Sequence, residues 1–191
     1  MMGLSSIGKR VAVAAAAVAL AGLGISSAAF ASPASPGRAA SARVPACTAA
    51  DIGAWVANSQ GNGAAGTIYY PLQFTNLTRH ACSMHGFPGV SAVNRFGREL
   101  GSPARRDYTS VPRTVVLAPG ATAHAILGWS DVAVATEPGC DPTYSAAQLQ
   151  IYAPGQHQAT YTMFSLEACS RSGASYLSIG PVIPGVGTIY G

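Results

Sequence analysis

The chain has 191 residues, with 11 basic and 7 acidic side chains, 22 Gly, 13 Pro and 4 Cys. Charged residues make up 9% of it, against roughly 25% in an ordinary soluble domain, while a hydrophobic fraction of 49% can build a core. One domain with an appendage fits this length. A two-domain cofactor enzyme, a coiled coil, a charged helical bundle and a disordered tail protein are excluded.

Lys9 and Arg10 precede residues 11–25, a run drawn only from Val, Ala, Leu, Gly and Ile. The run is shorter than the roughly 20 residues a membrane-spanning helix needs and fits the apolar part of a secretory signal. Ala29-Phe30-Ala31 then offers a small-x-small cleavage site. Residues 1–31 are therefore expected to be a signal peptide, removed before Ser32. Val44-Pro45-Ala46-Cys47 only loosely mimics a lipidation box, because it contains Pro and lies far beyond the apolar run. Cleavage would remove Lys9, the single lysine, and leave 160 residues with nine Arg against seven acids, balanced seven to seven from Cys47 onward. A nucleic-acid binder would keep a basic stripe on its folded part, so no nucleic-acid partner is expected. Nor would a transmembrane span remain. Residues 32–46 contain only Ser, Pro, Ala, Gly, Arg and Val without periodicity, and are expected to form a flexible linker to a folded domain at 47–191.

Short strands dominate that domain. A first strand with Trp55 is expected at 52–57. Residues 67–74 alternate, with Ile68, Tyr70, Leu72 and Phe74 on one face, and Pro71 predicts an edge or bulged strand. Residues 114–117 and 121–129 flank Ala118-Pro119-Gly120, which suits the centre of a type II turn and predicts a hairpin. Further strands are expected at 148–152, with Leu149 and Ile151 on one face and a stop at Pro154-Gly155, then at 160–166 and 175–179. No window sustains a helical period. The expected fold is an all-β, antiparallel, immunoglobulin-like sandwich of about seven to nine strands.

Four cysteines in an exported chain make two disulfides, with three possible connectivities. The sequential pairing, Cys47 with Cys82 and Cys140 with Cys169, is the expected one. Each bond would close a loop worth roughly 3.5–4 kcal/mol in the chain-entropy model. The absence of C-x₂-C spacing argues against a metal site.

The stretch from Ala65 to Asn76 (AGTIYYPLQFTN), then Cys82, then Gly86-Phe87-Pro88-Gly89-Val90-Ser91, then Leu117-Ala118-Pro119-Gly120, resembles the domain of unknown function 4232 family of exported actinobacterial proteins. Cys47, Cys140 and Cys169 match the remaining cysteines of that family, and the resemblance covers about residues 47–180. It implies a secreted β-sandwich and supplies no catalytic or binding residues. Many relatives are lipoproteins; this chain departs from them in lacking a lipidation cysteine.

His124, Ser130 and Asp131 offer the residue types of a hydrolase, but no G-x-S-x-G elbow accompanies them. The seven acids (Asp51, Glu99, Asp107, Asp131, Glu137, Asp141 and Glu167) are scattered, which suits turn capping better than paired-carboxylate chemistry. His80, Cys82, Met84 and His85 form the best metal-like cluster, since imidazole and thioether suit copper, although a disulfide at Cys82 would take its strongest ligand. Arg95, Arg98, Arg105, Arg106 and Arg113 concentrate positive charge against Glu99 and Asp107 alone. Such a loop can grip an anionic polymer or partner; the competing reading is a loop whose arginines bond to backbone carbonyls. Phe87-Pro88-Gly89 and the apolar stretch 181–186 are read as a turn and a last packed strand, or as exposed contacts. The expectation is an exported, non-enzymatic module without cofactor that binds an envelope or extracellular partner. A protease inhibitor, a secreted hydrolase and a copper-binding envelope protein are the alternatives.

Overall fold

A computed structural model of the protein describes residues 43–57, 62–64, 66–132, 140 and 142–188. The expected signal peptide and most of the expected linker lie outside the described residues. Residues 41–191 make one compact unit.

Thirteen strands and no helix occur among the described residues: β1 (Ile52–Val56), β2 (Asn62–Ala64), β3 (Thr67–Asn76), β4 (Cys82–His85), β5 (Gly89–Asn94), β6 (Glu99–Leu100), β7 (Arg105–Arg106), β8 (Thr114–Leu117), β9 (Thr122–Ser130), β10 (Pro142–Tyr152), β11 (Ala159–Cys169), β12 (Leu177–Ile179) and β13 (Ile183–Pro184). Eight of them have four or more residues, and these match the strand number read from turn spacing. The larger sheet runs β1-β3-β9-β12-β7, with β2 on β3 and β13 on β9; a second runs β11-β10-β5-β6, and β4 pairs with β8. Pairing is antiparallel except between β12 and β7 and at the Ala46–Ser83 bridge.

Alternation builds the core. Leu72, Phe74, Ala123, Ala125 and Leu127 of the larger sheet share one buried cluster with Val90, Ala92, Leu149 and Ile151 of the second. Each large aliphatic or aromatic side chain taken from water there stabilises the fold by roughly 1.5–3 kcal/mol. Two contacts cross between the layers: the Tyr70 and Phe164 rings meet edge-on at 4.9 Å, and the Trp129 indole N–H donates to the Glu167 carbonyl at 2.9 Å. The result is a two-layer β-sandwich.

Three expectations need correction. Pro71 lies in a central strand, between β1 and β9, not at an edge. Its carbonyl accepts from the Ala57 N–H at 2.9 Å, so its missing N–H faces the side where β1 pairing ends at Leu72 and β2 pairing begins at Tyr69. The gap between those partners tolerates the absent donor. The second correction concerns Ala118-Pro119-Gly120. The turn is present, with Gly120 at φ 73° and the Ala121 N–H donating to Ala118 O at 2.9 Å. However, β8 pairs with β4 while β9 pairs with β3, so the turn is a corner between sheets and no hairpin forms. Type II geometry splays its flanking strands, which suits a corner.

Asn76 fastens that corner from β3. It is 1% exposed; its Nδ2 donates to the His80, Leu117 and Ala118 carbonyls at 2.9, 3.0 and 3.3 Å, and its Oδ1 accepts from the Thr78 N–H and hydroxyl. The third correction is to the linker boundary. Residues 44–46 are tied to β4, since the Ser83 N–H donates to Pro45 O and the Ser83 hydroxyl reaches Val44 O, so contacts with the sandwich start before Cys47.

Disulfides join Cys47 to Cys82 and Cys140 to Cys169, and no cysteine is free. The first ties the chain's entry to β4, and the second ties the approach to β10 to the end of β11, where Pro142 pairs with Cys169. Neither links the two large sheets. The stretch 181–186 is only partly a packed strand: Pro181 and Val182 are buried, whereas Ile183–Val186 are exposed. Beyond it Gln73, fully buried on the outer side of β3, holds Gly187 at both ends of its amide, at 2.7 and 3.1 Å.

Candidate functional site

All five arginines between 95 and 113 are exposed, but the fold does not gather them. Arg95 and Arg98 sit on the β5–β6 turn, where Asn94 Oδ1 accepts from the Phe96 and Arg98 N–H groups and Arg95 lies 4.6 Å over the Phe96 ring. Arg105 and Arg106 form β7, an edge strand paired with Ser178 and Ile179. Two adjacent cations on a short edge oppose further strand pairing. Arg113 precedes Thr114, which pairs with His85. The length of β5 separates the Arg95–Arg98 turn from the Gly89 end by about 17 Å. Among the described residues none of the five guanidinium groups bonds to a carbonyl or a carboxylate.

At the Gly89 end the structure forms an open cleft of about 570 Å³, with Phe87 from the β4–β5 link, Gly89 at the start of β5, Arg106 from β7, Tyr152 at the end of β10, and Gln156 and His157 from the β10–β11 turn. Local geometry explains each placement. The Ala104 N–H donates to Val90 O and the Asp107 N–H to Ile179 O, so β7 is strung between the two sheets and Arg106 is carried to the cleft. Its guanidinium stands 5.7 Å from the Phe87 ring centre, and the Tyr108 ring packs on Phe87 at 4.8 Å. Gly89 is opposite Tyr152, and a Cβ on Gly89 would lie in van der Waals contact with the Tyr152 Cβ and ring, at 3.4 Å. Gly155, at φ 73°, closes the turn with the Gln156 N–H on Ala153 O. Arg106 is the one permanently charged side chain among these residues.

The other candidates do not assemble. His80 is exposed in the loop before β4, Cys82 is in a disulfide, Met84 is buried at 3% exposure, and His85 is exposed and bonded to the Thr114 hydroxyl. His124 bonds through Nδ1 to Gly185 O at 2.8 Å, and six residues of one strand place Ser130 about 20 Å away. Asp51 caps a turn, accepting from the Thr48 N–H and hydroxyl, both at 2.8 Å, and these bonds hold its carboxyl below the ordinary range. Asp107 accepts from the Thr109 N–H, and Glu99 accepts from the Ser91 hydroxyl at 2.6 Å. Glu137 and Asp141 lie outside the described residues. The cleft itself escaped the sequence reading because Phe87, Arg106 and Tyr152 come from three distant segments. Arg106, the Phe87-Pro88-Gly89 stretch and the Pro154-Gly155 turn each carried a separate signal, and Tyr152, Gln156 and His157 carried none.

Two disulfides with no free cysteine point to an oxidising compartment. Among the described residues no helix is long and apolar enough to cross a membrane. A family model described as Domain of unknown function (DUF4232) matches residues 47–182. No curated protein and no solved structure matches the chain.

Proposed function

The chain belongs to the domain of unknown function 4232 family, and from that premise we propose that it is an exported, non-enzymatic module that binds an anionic partner in the cell envelope or the medium. The observation that carries this reading is the set of exposed arginines with no acidic or carbonyl partner among the described residues, above all Arg106 at the cleft. A guanidinium offers five N–H donors in a fixed fork suited to oxyanions. The two disulfides support export, and the charged start with its apolar run and Ala-x-Ala site supports a cleaved signal. The separation of His124 from Ser130 along β9 favours binding over hydrolysis.

The test is capture of the host's own wall fragments and culture proteins by the purified, disulfide-bonded protein. A specific anionic partner released by salt supports the reading. Turnover of ester, peptide or glycoside substrates in the same samples contradicts it.

A further inference from the structure

We infer that the cleft formed by the β4–β5 link, β7 and the β10–β11 turn is a binding site for a sugar residue carrying a single carboxylate; this rests on the anion-binding reading above.

The charge count favours a monoanion over a dianion. Arg106 brings one permanent positive charge to the cleft, and the other lining side chains bring none. A carboxylate carries one negative charge and matches the guanidinium fork through two parallel hydrogen bonds. A phosphate monoester carries about −1.5 to −2 near neutral pH and would be left under-neutralised by one arginine. Arg106 is also held in advance, over Phe87, which is itself packed against Tyr108. A cation positioned before the ligand arrives loses less freedom on binding.

The remaining lining selects the body of the ligand. Tyr152 presents a ring beside the bare backbone of Gly89, an apolar platform for the C–H face of a pyranose. Gln156 and His157 on the turn supply donors and acceptors for hydroxyl groups. A cleft of about 570 Å³ lined by two aromatic rings and by polar side chains falls within the size range of small-molecule sites. An extended peptide fits less well, because the neighbouring edge strand β7 offers only two residues of backbone for pairing.

The experiment titrates the disulfide-bonded protein, purified from its host, with galacturonate, galactose and acetate, following backbone amide shifts. Galacturonate is expected to shift Arg106 and Gly155 to His157 saturably. Galactose and acetate, each lacking half of the recognised group, should bind about tenfold more weakly or worse. Arg106→Gln should weaken galacturonate by about tenfold or more, and Arg106→Lys, which keeps the charge without the fork, should fall between. His157→Ala, in the turn, tests the cleft without touching β7 and should also weaken binding. Arg95→Ala with Arg98→Ala should bind normally. Galactose or acetate binding as tightly as galacturonate overturns the inference, as do shifts centred on Phe96. Retention on the host's anionic wall material without galacturonate shifts at the cleft overturns this inference alone. Absence of any anion binding overturns the reading beneath it.

Discussion

The Arg106 guanidinium lies 5.7 Å from the centre of the Phe87 ring, and that ring is packed at 4.8 Å against Tyr108. Phe87 therefore acts as a positioning residue for the cation at the cleft. Phe87→Ala should reduce affinity for an anionic ligand about two- to fivefold with Arg106 intact, the scale of one cation–π contact. Arg106→Gln and Phe87→Ala together should weaken binding no more than Arg106→Gln alone. Titration of the two single variants and the double variant checks this.

Asn76 supports the corner where the chain passes from β8 to β9. Asn76→Ala would strip its contacts from three carbonyls and should cost about 2–4 kcal/mol in urea unfolding, the scale of a broken buried network. Asn76→Asp keeps an acceptor and loses the donors, so its carboxylate would face those carbonyls. Its neutral form is the one the fold tolerates, which raises its folded pKa. That variant should be most stable below about pH 4 and lose stability as pH rises.

Much of the sandwich was legible because alternation and turn chemistry are local signals. Leu149 and Ile151 alternate with Gln148 and Gln150 and are fully buried, as a half-buried strand requires. The corner was half legible: Pro119 and Gly120 specify the turn, but only the partners of β8 and β9 decide between hairpin and sheet switch. Pro71 misled for a similar reason, since its tolerance depends on where β1 ends and β2 begins. Gln73 also reads as a solvent-facing residue of β3, and only the returning chain at Gly187 buries it. The cleft was least legible, because its side chains meet only through tertiary packing.

The two disulfides each brace one sheet and leave the layers to be joined by packing and by hydrogen bonds such as that from Trp129 to Glu167. They are separated by 35 and 29 residues in sequence, so replacing either pair by Ala should cost roughly 3–4 kcal/mol without abolishing the fold. Urea unfolding of the two paired variants measures this, and far-ultraviolet circular dichroism should remain that of a β protein.

Tyr176 is 1% exposed, and its hydroxyl donates to Leu100 O at 2.8 Å. Burial, aided by the Glu99 charge, pushes its phenol far above the ordinary value, so the folded chain keeps a proton that the unfolded chain releases near pH 10. Its contribution is complete below pH about 10 and declines above it, as the unfolded state gains from ionisation. Tyr176→Phe should cost about 1 kcal/mol at pH 7 and show a shallower loss of stability between pH 9 and 11. Unfolding measured across that range tests both effects.

The central claim is that β7, through Arg106, serves a ligand rather than fastens the chain. Retention of wild type and Arg105→Ala/Arg106→Ala on the host's anionic wall polymer, from low to high salt, tests it most directly when paired with thermal unfolding. Exposed charges are screened beyond about 8 Å at physiological ionic strength, so wild-type retention should fall steeply as salt rises. The double variant should lose retention at low salt while its midpoint stays within about 2 °C of wild type, as surface substitutions do. A midpoint lowered by many degrees with retention unchanged would contradict the account.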